Sequence, residues 1–197
     1  MSGRLFGPWR RRALLGVALV LGVAGIWQVG AAGWIHAKAL VAQVLLERAW
    51  QQTDGQSAVE PWPWADTVPV ARLQAPDHDV DQIVLAGATG ESLAFGPAKL
   101  AASAAPGTGP TVIAGHRDTH FRFLEHVNAG DRLVLRRRDG ERRRYRVTAR
   151  EVVDSRDHRL SLSGADRLTL VTCYPFDAVE PGGPMRLVVV AEPVGRG

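Results

Sequence analysis

A chain of 197 residues with 46% hydrophobic and 22% charged side chains is neither disordered by composition nor a collagen-like or low-complexity fibre. Once an N-terminal apolar segment is set aside, the rest suffices for one domain with a real core, not two. The net charge of +4 is concentrated as arginine in residues 4–12 and 132–150, and neither cluster by itself specifies a partner; the single cysteine excludes an intramolecular disulfide.

From Ala13 to Ile35 no residue is charged, a run of 23. At about 1.5 Å per residue such a helix crosses a hydrocarbon core of about 30 Å. Arg4, Arg10, Arg11 and Arg12 precede it and the next cation is Lys38, which predicts residues 1–12 on the cytoplasmic side and the remainder translocated. Trp9, Trp27 and Trp34 stand near its ends, where indole rings suit the interface. Gly30-Ala31-Ala32-Gly33 offers small residues for signal cleavage, but the run exceeds a usual signal-peptide core, which favours an uncleaved span over 13–35. Ala37, Leu40, Val41, Val44 and Leu45 then recur at helical spacing, so the helix is expected to continue to about Trp50, as a stalk or against the membrane surface. Residues 51–66 turn polar and then Pro/Trp-rich, which breaks the periodicity and closes a juxtamembrane segment over 36–66.

The domain is expected over 67–197. Its apolar runs are short and separated by turn residues, giving candidate strands at Thr67 to Leu73, Val80 to Leu85, Thr111 to Gly115, Arg132 to Arg137, Arg142 to Val153, Arg167 to Thr172 and Met185 to Ala191. Asp139-Gly140 predicts a two-residue hairpin turn between two of them. Helical signals are confined to Pro97 to Ala102 and Phe121 to Val127, so an all-β barrel or sandwich with short helices is preferred over α/β. The arginines of the hairpin do not predict a nucleic-acid site: a domain outside the cytoplasm meets little nucleic acid, and no aromatic platform is interleaved. They read as a solvated face guarding an edge, with lipid headgroups or cell-wall polymer as the anionic alternatives.

Cys173 ends the apolar run Leu168-Thr169-Leu170-Val171-Thr172 and is followed by Tyr174-Pro175, where proline stops strand pairing. His116 closes Thr111-Val112-Ile113-Ala114-Gly115, and Arg186 opens the last strand. Three strand-end residues of complementary chemistry thus point to one rim. His116 and His120 stand four apart, but ligand pairs at that spacing belong on a helix, so no metal and no cofactor are predicted. Singly, each residue has an ordinary role as core thiol, turn histidine or edge arginine.

Thr169-Leu170-Val171-Thr172-Cys173 resembles the cysteine signature of the sortase family, Gly115-His116 resembles its histidine strand, and Arg186 follows on the last strand in the family's order. The resemblance covers about residues 67–192, and the continuation Cys173-Tyr174-Pro175-Phe176 looks most like the proteobacterial branch. It implies a closed β-barrel of about eight strands behind one transmembrane helix, in a bacterial inner membrane with the catalytic domain on the far side from the cytoplasm. It also implies a cysteine transpeptidase: Cys173 as nucleophile, His116 as proton donor and Arg186 as oxyanion stabiliser. The implied substrate is a secreted protein with a C-terminal LPXTG-like sorting signal, cut between Thr and Gly, and its acyl group passes to an amine nucleophile. Thr172 and Tyr174, flanking the cysteine, are candidates for the substrate groove, while Asp118 and Asp177 are open as partners of His116. Two other readings stand beside this one. An L,D-type cysteine transpeptidase carries His-Gly before its cysteine, where this chain has Val171-Thr172. A membrane-anchored β-domain would bind a partner and keep Cys173 inert.

Overall fold

The computed structural model describes residues 8–53, 55, 57–178, 180 and 182–195. Arg4, part of the expected cytoplasmic segment, lies outside them. The first described element is one continuous helix, α1 (Pro8–Gln52), whose residues Leu14 to Trp34 expose large apolar side chains. It is long and apolar enough to span a membrane. The helix belongs to two compact units, one ending at Ala42 and the other running from Gln43 onward.

The second unit is an eight-stranded closed barrel. Its strands are β1 (Pro69–Ala75), β2 (Val80–Ala86), β3 (Ala98–Lys99), β4 (Pro110–Ala114), β5 (Arg132–Arg137), β6 (Arg142–Asp154), β7 (Arg167–Cys173) and β8 (Met185–Pro193). They are hydrogen-bonded in the order β1-β2-β3-β4-β7-β8-β6-β5, and β5 returns to β1. Closure gives each of these eight strands a hydrogen-bonded neighbour on both sides over at least part of its length. Among the described residues only β2–β3 and β4–β7 pair in parallel. Alternate residues point inward: Leu73, Ile113, Leu133, Leu135, Tyr145, Val147, Leu168, Leu170, Leu187 and Val189 fill the interior and are at most 2% exposed. A second, smaller cluster joins Leu46 of the last turns of α1 to Leu85 and Ala98, with Trp62 set edge-on to Phe95 at 4.9 Å between ring centroids.

Two local expectations are corrected. Pro97 to Ala102 holds no helix: Ala98 and Lys99 form β3, because their backbone bridges β2 and β4 and Ala98 is fully buried between them. The helix instead lies earlier, at α2 (Gly90–Phe95), where Thr89 Oγ1 accepts from the Ser92 backbone N–H and Ser92 Oγ accepts from the Thr89 N–H. This reciprocal cap satisfies two otherwise orphaned donors. The Asp139-Gly140 hairpin has a three-residue loop, Arg138 to Gly140, since Arg137 N–H donates to Glu141 O and Gly140 N–H to Arg137 O. Only Gly140 takes a positive φ there, 85°, whereas the expected two-residue turn needs two such residues. Phe121 to Val127 contains one 3-10 turn, Arg122–Glu125.

Candidate active site

Strand direction brings the three expected residues to one rim. β4 and β7 are parallel and both end there, with Ala114 opposite Val171; antiparallel β8 begins there. Leu168, Leu170 and Thr172 face the interior, so Cys173 emerges on the outer face, half-buried. Arg186 is its direct cross-strand partner on β8. Partners in an antiparallel pair project to the same face, so the two side chains leave the sheet on one side. One residue further, Tyr174 N–H still donates to Met185 O at 3.0 Å, and Pro175, lacking an N–H, ends the pairing.

His116 approaches Cys173 from the opposite flank. Gly115 N–H donates to Val171 O at 3.1 Å, extending the β4–β7 ladder by one bond. Thr172 Oγ1 donates to Gly115 O at 2.7 Å. Thr172 is 2% exposed, so this candidate groove residue faces the interior and ties the cysteine strand to the histidine turn. The turn is closed by Phe121 N–H donating to His116 O at 2.9 Å. Gly115 is required by close approach: an added Cβ would stand 2.7 Å from Cγ of the buried Phe121 ring. The glycine of the Gly-His pair therefore seats an aromatic wedge beneath the histidine, a relationship the sequence reading missed.

The two histidines of this turn differ sharply. His116 is exposed at the rim. His120 is half-buried, its backbone carbonyl accepts from Gln82 Nε2 at 2.9 Å, and burial first, then the charge of His116, hold its imidazole below the ordinary histidine range. His120 thus resists protonation beside His116.

Arg186 donates through Nη1 to Gly183 O at 2.6 Å and Met185 O at 2.8 Å. Among the described residues no carboxylate pairs with it; nearby Asp154 is held at a pKa of about 2 chiefly by its hydrogen bonds from Arg156, with Arg186 a minor contributor. Tyr174 packs edge-on to Phe176 against the main core cluster. Asp118 and Asp177 form no hydrogen bond with His116; both line a cleft of about 260 Å³ with Arg117, Arg122, Glu125 and Phe176. Arg117 is a second residue that the sequence reading passed over. Its Nη2 donates to Ala178 O at 2.9 Å and Glu180 O at 3.4 Å, joining the residue after His116 to the segment between Cys173 and Arg186.

A family model described as Sortase domain matches residues 73–194, more than half of the chain. The chain belongs to the sortase family. Sortase D of Bacillus subtilis (strain 168) is 34% identical to this sortase over 88 residues, covering 44% of this chain and 43% of that protein, so the match spans less than half of the relative's length. Among solved structures, sortase A from Corynebacterium diphtheriae superposes with a TM-score of 0.60 at 28% identity, covering 79% of this chain and 85% of that one. A Clostridium perfringens sortase D5 transpeptidase superposes at 0.61 with 20% identity, over 79% and 99% of the two chains, a likeness of fold. The sortase barrel expected from the sequence is the barrel observed, with its apolar helix ahead of it.

Proposed function

We propose that this chain is a membrane-tethered cysteine transpeptidase that processes a secreted protein bearing an LPXTG-like sorting signal. The observation that carries the reading is the flanking of Cys173 by Arg186 on one neighbouring strand and by the His116 turn on the other. In the proposed reaction Cys173 Sγ attacks the carbonyl carbon of the threonine in the signal, forming an S–C bond. The carbonyl oxygen takes up the negative charge, and the guanidinium of Arg186, rich in donors and permanently charged, stabilises it. The C–N bond to glycine then breaks, and protonated His116 gives its proton to the departing amine. A thioester remains on Cys173. An acceptor amine attacks that thioester, its proton passes to His116, and the thiolate leaves, restoring the starting enzyme.

Buried Thr172 enters this scheme as a support of the cysteine strand, and half-buried Tyr174 as a candidate for the substrate groove. Placement in the bacterial inner membrane, with residues 1–12 cytoplasmic and the barrel outside the cytoplasm, follows from the arginine cluster ahead of the uncharged run. The proteobacterial assignment rests on the Cys173-Tyr174-Pro175-Phe176 continuation alone.

The deciding experiment incubates the full chain in detergent with an LPXTG-like peptide and an amine acceptor, and follows cleaved and amine-ligated products by mass spectrometry. The wild type is expected to accumulate an acyl adduct on Cys173 and to form both products, Cys173→Ala neither, and His116→Ala far less than His120→Ala. Equal cleavage by Cys173→Ala would remove the nucleophile assignment. A thiol that labels slowly with iodoacetamide and a chain that only binds the peptide would favour an inert domain.

A further inference from the structure

The rim opposite Cys173 carries a charge pattern that catalysis does not use. On β6, Arg142, Arg144 and Arg146 alternate outward and are exposed, while Tyr145 and Val147 point into the core. Across the hairpin, Arg136 of β5 is the direct partner of Arg142, and Arg132 that of Arg146. Like charges placed directly opposite destabilise a sheet. At one end the cost is offset: Arg132 pairs with Asp77 at 2.6 Å, and Arg146 faces Glu192 across β8 and donates to Gly130 O. Nearby, Arg137 takes Asp139 and Glu141, and Arg143 takes Asp166. Arg136, Arg138, Arg142 and Arg144 form no ion pair among the described residues; Arg136 lies over the Trp50 ring, 6.0 Å from its centroid.

We propose that this arginine face is a docking surface for an anionic phospholipid bilayer. Charge sets the sign of the partner, and the chain's own helix selects the bilayer. Trp50, beneath Arg136, stands 15 residues beyond Ile35, the last residue of the uncharged run. Both lie in the one helix α1, so at about 1.5 Å per residue the tether between them is about 22 Å long. This covalent tether confines headgroup phosphates near the face at high effective concentration, an advantage that a soluble polyanion lacks. The exposed apolar side chains of Leu40, Val41 and Val44 suit this stretch of helix to the interface. Strand direction gives the contact its use. β6 leaves the arginine end and reaches the catalytic rim at Asp154, paired with Met185, so a barrel docked by its arginines turns Cys173 away from the lipid. This inference rests on the proposed membrane tether and is independent of the proposed chemistry.

The test uses the full chain in nanodiscs of phosphatidylcholine alone or with about one third phosphatidylglycerol. Phenylglyoxal modification of individual arginines is followed by peptide mass spectrometry. In anionic discs at low salt, Arg136, Arg138, Arg142 and Arg144 should react about fivefold more slowly, the weight of one cation at an anionic surface. Arg156, exposed and paired with Asp154 near the catalytic rim, serves as the unprotected reference. Protection should vanish at high salt, and Arg138 should lose it in Arg142→Gln/Arg144→Gln, which alters only exposed positions. Equal rates in the two discs would overturn the proposal. So would stronger protection of these arginines by soluble polyphosphate, at matched phosphate concentration, than by the anionic discs.

Discussion

Cys173 and Arg186 are direct partners across β7 and β8, and Arg186 spends Nη1 on the carbonyls of Gly183 and Met185 rather than on a carboxylate. Those two bonds aim a planar donor array that forms no ion pair among the described residues. Arg186→Lys keeps the charge and loses the array, so turnover on an LPXTG-like peptide should fall about a hundredfold to a thousandfold, the usual cost of one oxyanion donor. Steady-state kinetics read the outcome. A fall confined to KM would reassign Arg186 to substrate anchoring.

Gly115→Ala would drive a methyl group to 2.7 Å from the Phe121 ring. Overpacking of this kind costs about 1–3 kcal/mol, and the histidine turn should absorb the displacement, lowering activity beyond the loss of stability. Gly115→Ala/Phe121→Leu, with a smaller wedge, should recover part of both. Denaturant titration with parallel activity assays measures this, and a double variant no better than the single one would show that the contact does not govern the turn.

Arg117 holds the Cys173–Arg186 connection against the His116 turn through the carbonyls of Ala178 and Glu180. Arg117→Ala should lower folding stability by only about 1 kcal/mol, the net worth of one such hydrogen bond, while kcat/KM falls about tenfold. Hydrogen exchange in residues 174–184 should rise. Unchanged exchange there would dissociate Arg117 from the loop.

His120 supplies a pH dependence whose sign is fixed by its burial. Its folded-state pKa lies below the ordinary 6.5, so the unfolded chain binds this proton at higher pH than the folded chain does. Stability contributed by neutral His120 is whole above about 6.5 and declines as pH falls from there toward the depressed folded value. Urea midpoints at pH 7 and pH 5 should therefore differ less in His120→Gln than in the wild type. An unaltered difference would place the proton uptake elsewhere.

Most of this barrel was legible because half-buried strands leave a period-two pattern: Leu133/Leu135 and Tyr145/Val147 announce their hairpin directly. β3 was not, since a two-residue strand is too short for a period and Ala98 is placed by its neighbours β2 and β4. The cap of α2 had a readable signal in Thr89 and Ser92, overlooked because the helix behind it has only six residues. At the site, Cys173, His116 and Arg186 were legible as strand ends. The Phe121 wedge and the Arg117 clasp were not, because both depend on where a turn folds back in space.

The parallel pairing of β4 with β7 separates chemistry from recognition. Residues 57 positions apart along the chain, Gly115 and Thr172, are joined by one hydrogen bond inside the wall, so the groups of the proposed reaction are set by the sheet and not by the loops that lead to it. Insertions between β6 and β7, or beyond the histidine turn, can then reshape what the rim admits while the spacing of thiol, imidazole and guanidinium is retained. A lineage built on this frame is free to change its substrates by loop exchange, with the barrel wall as the inherited constant.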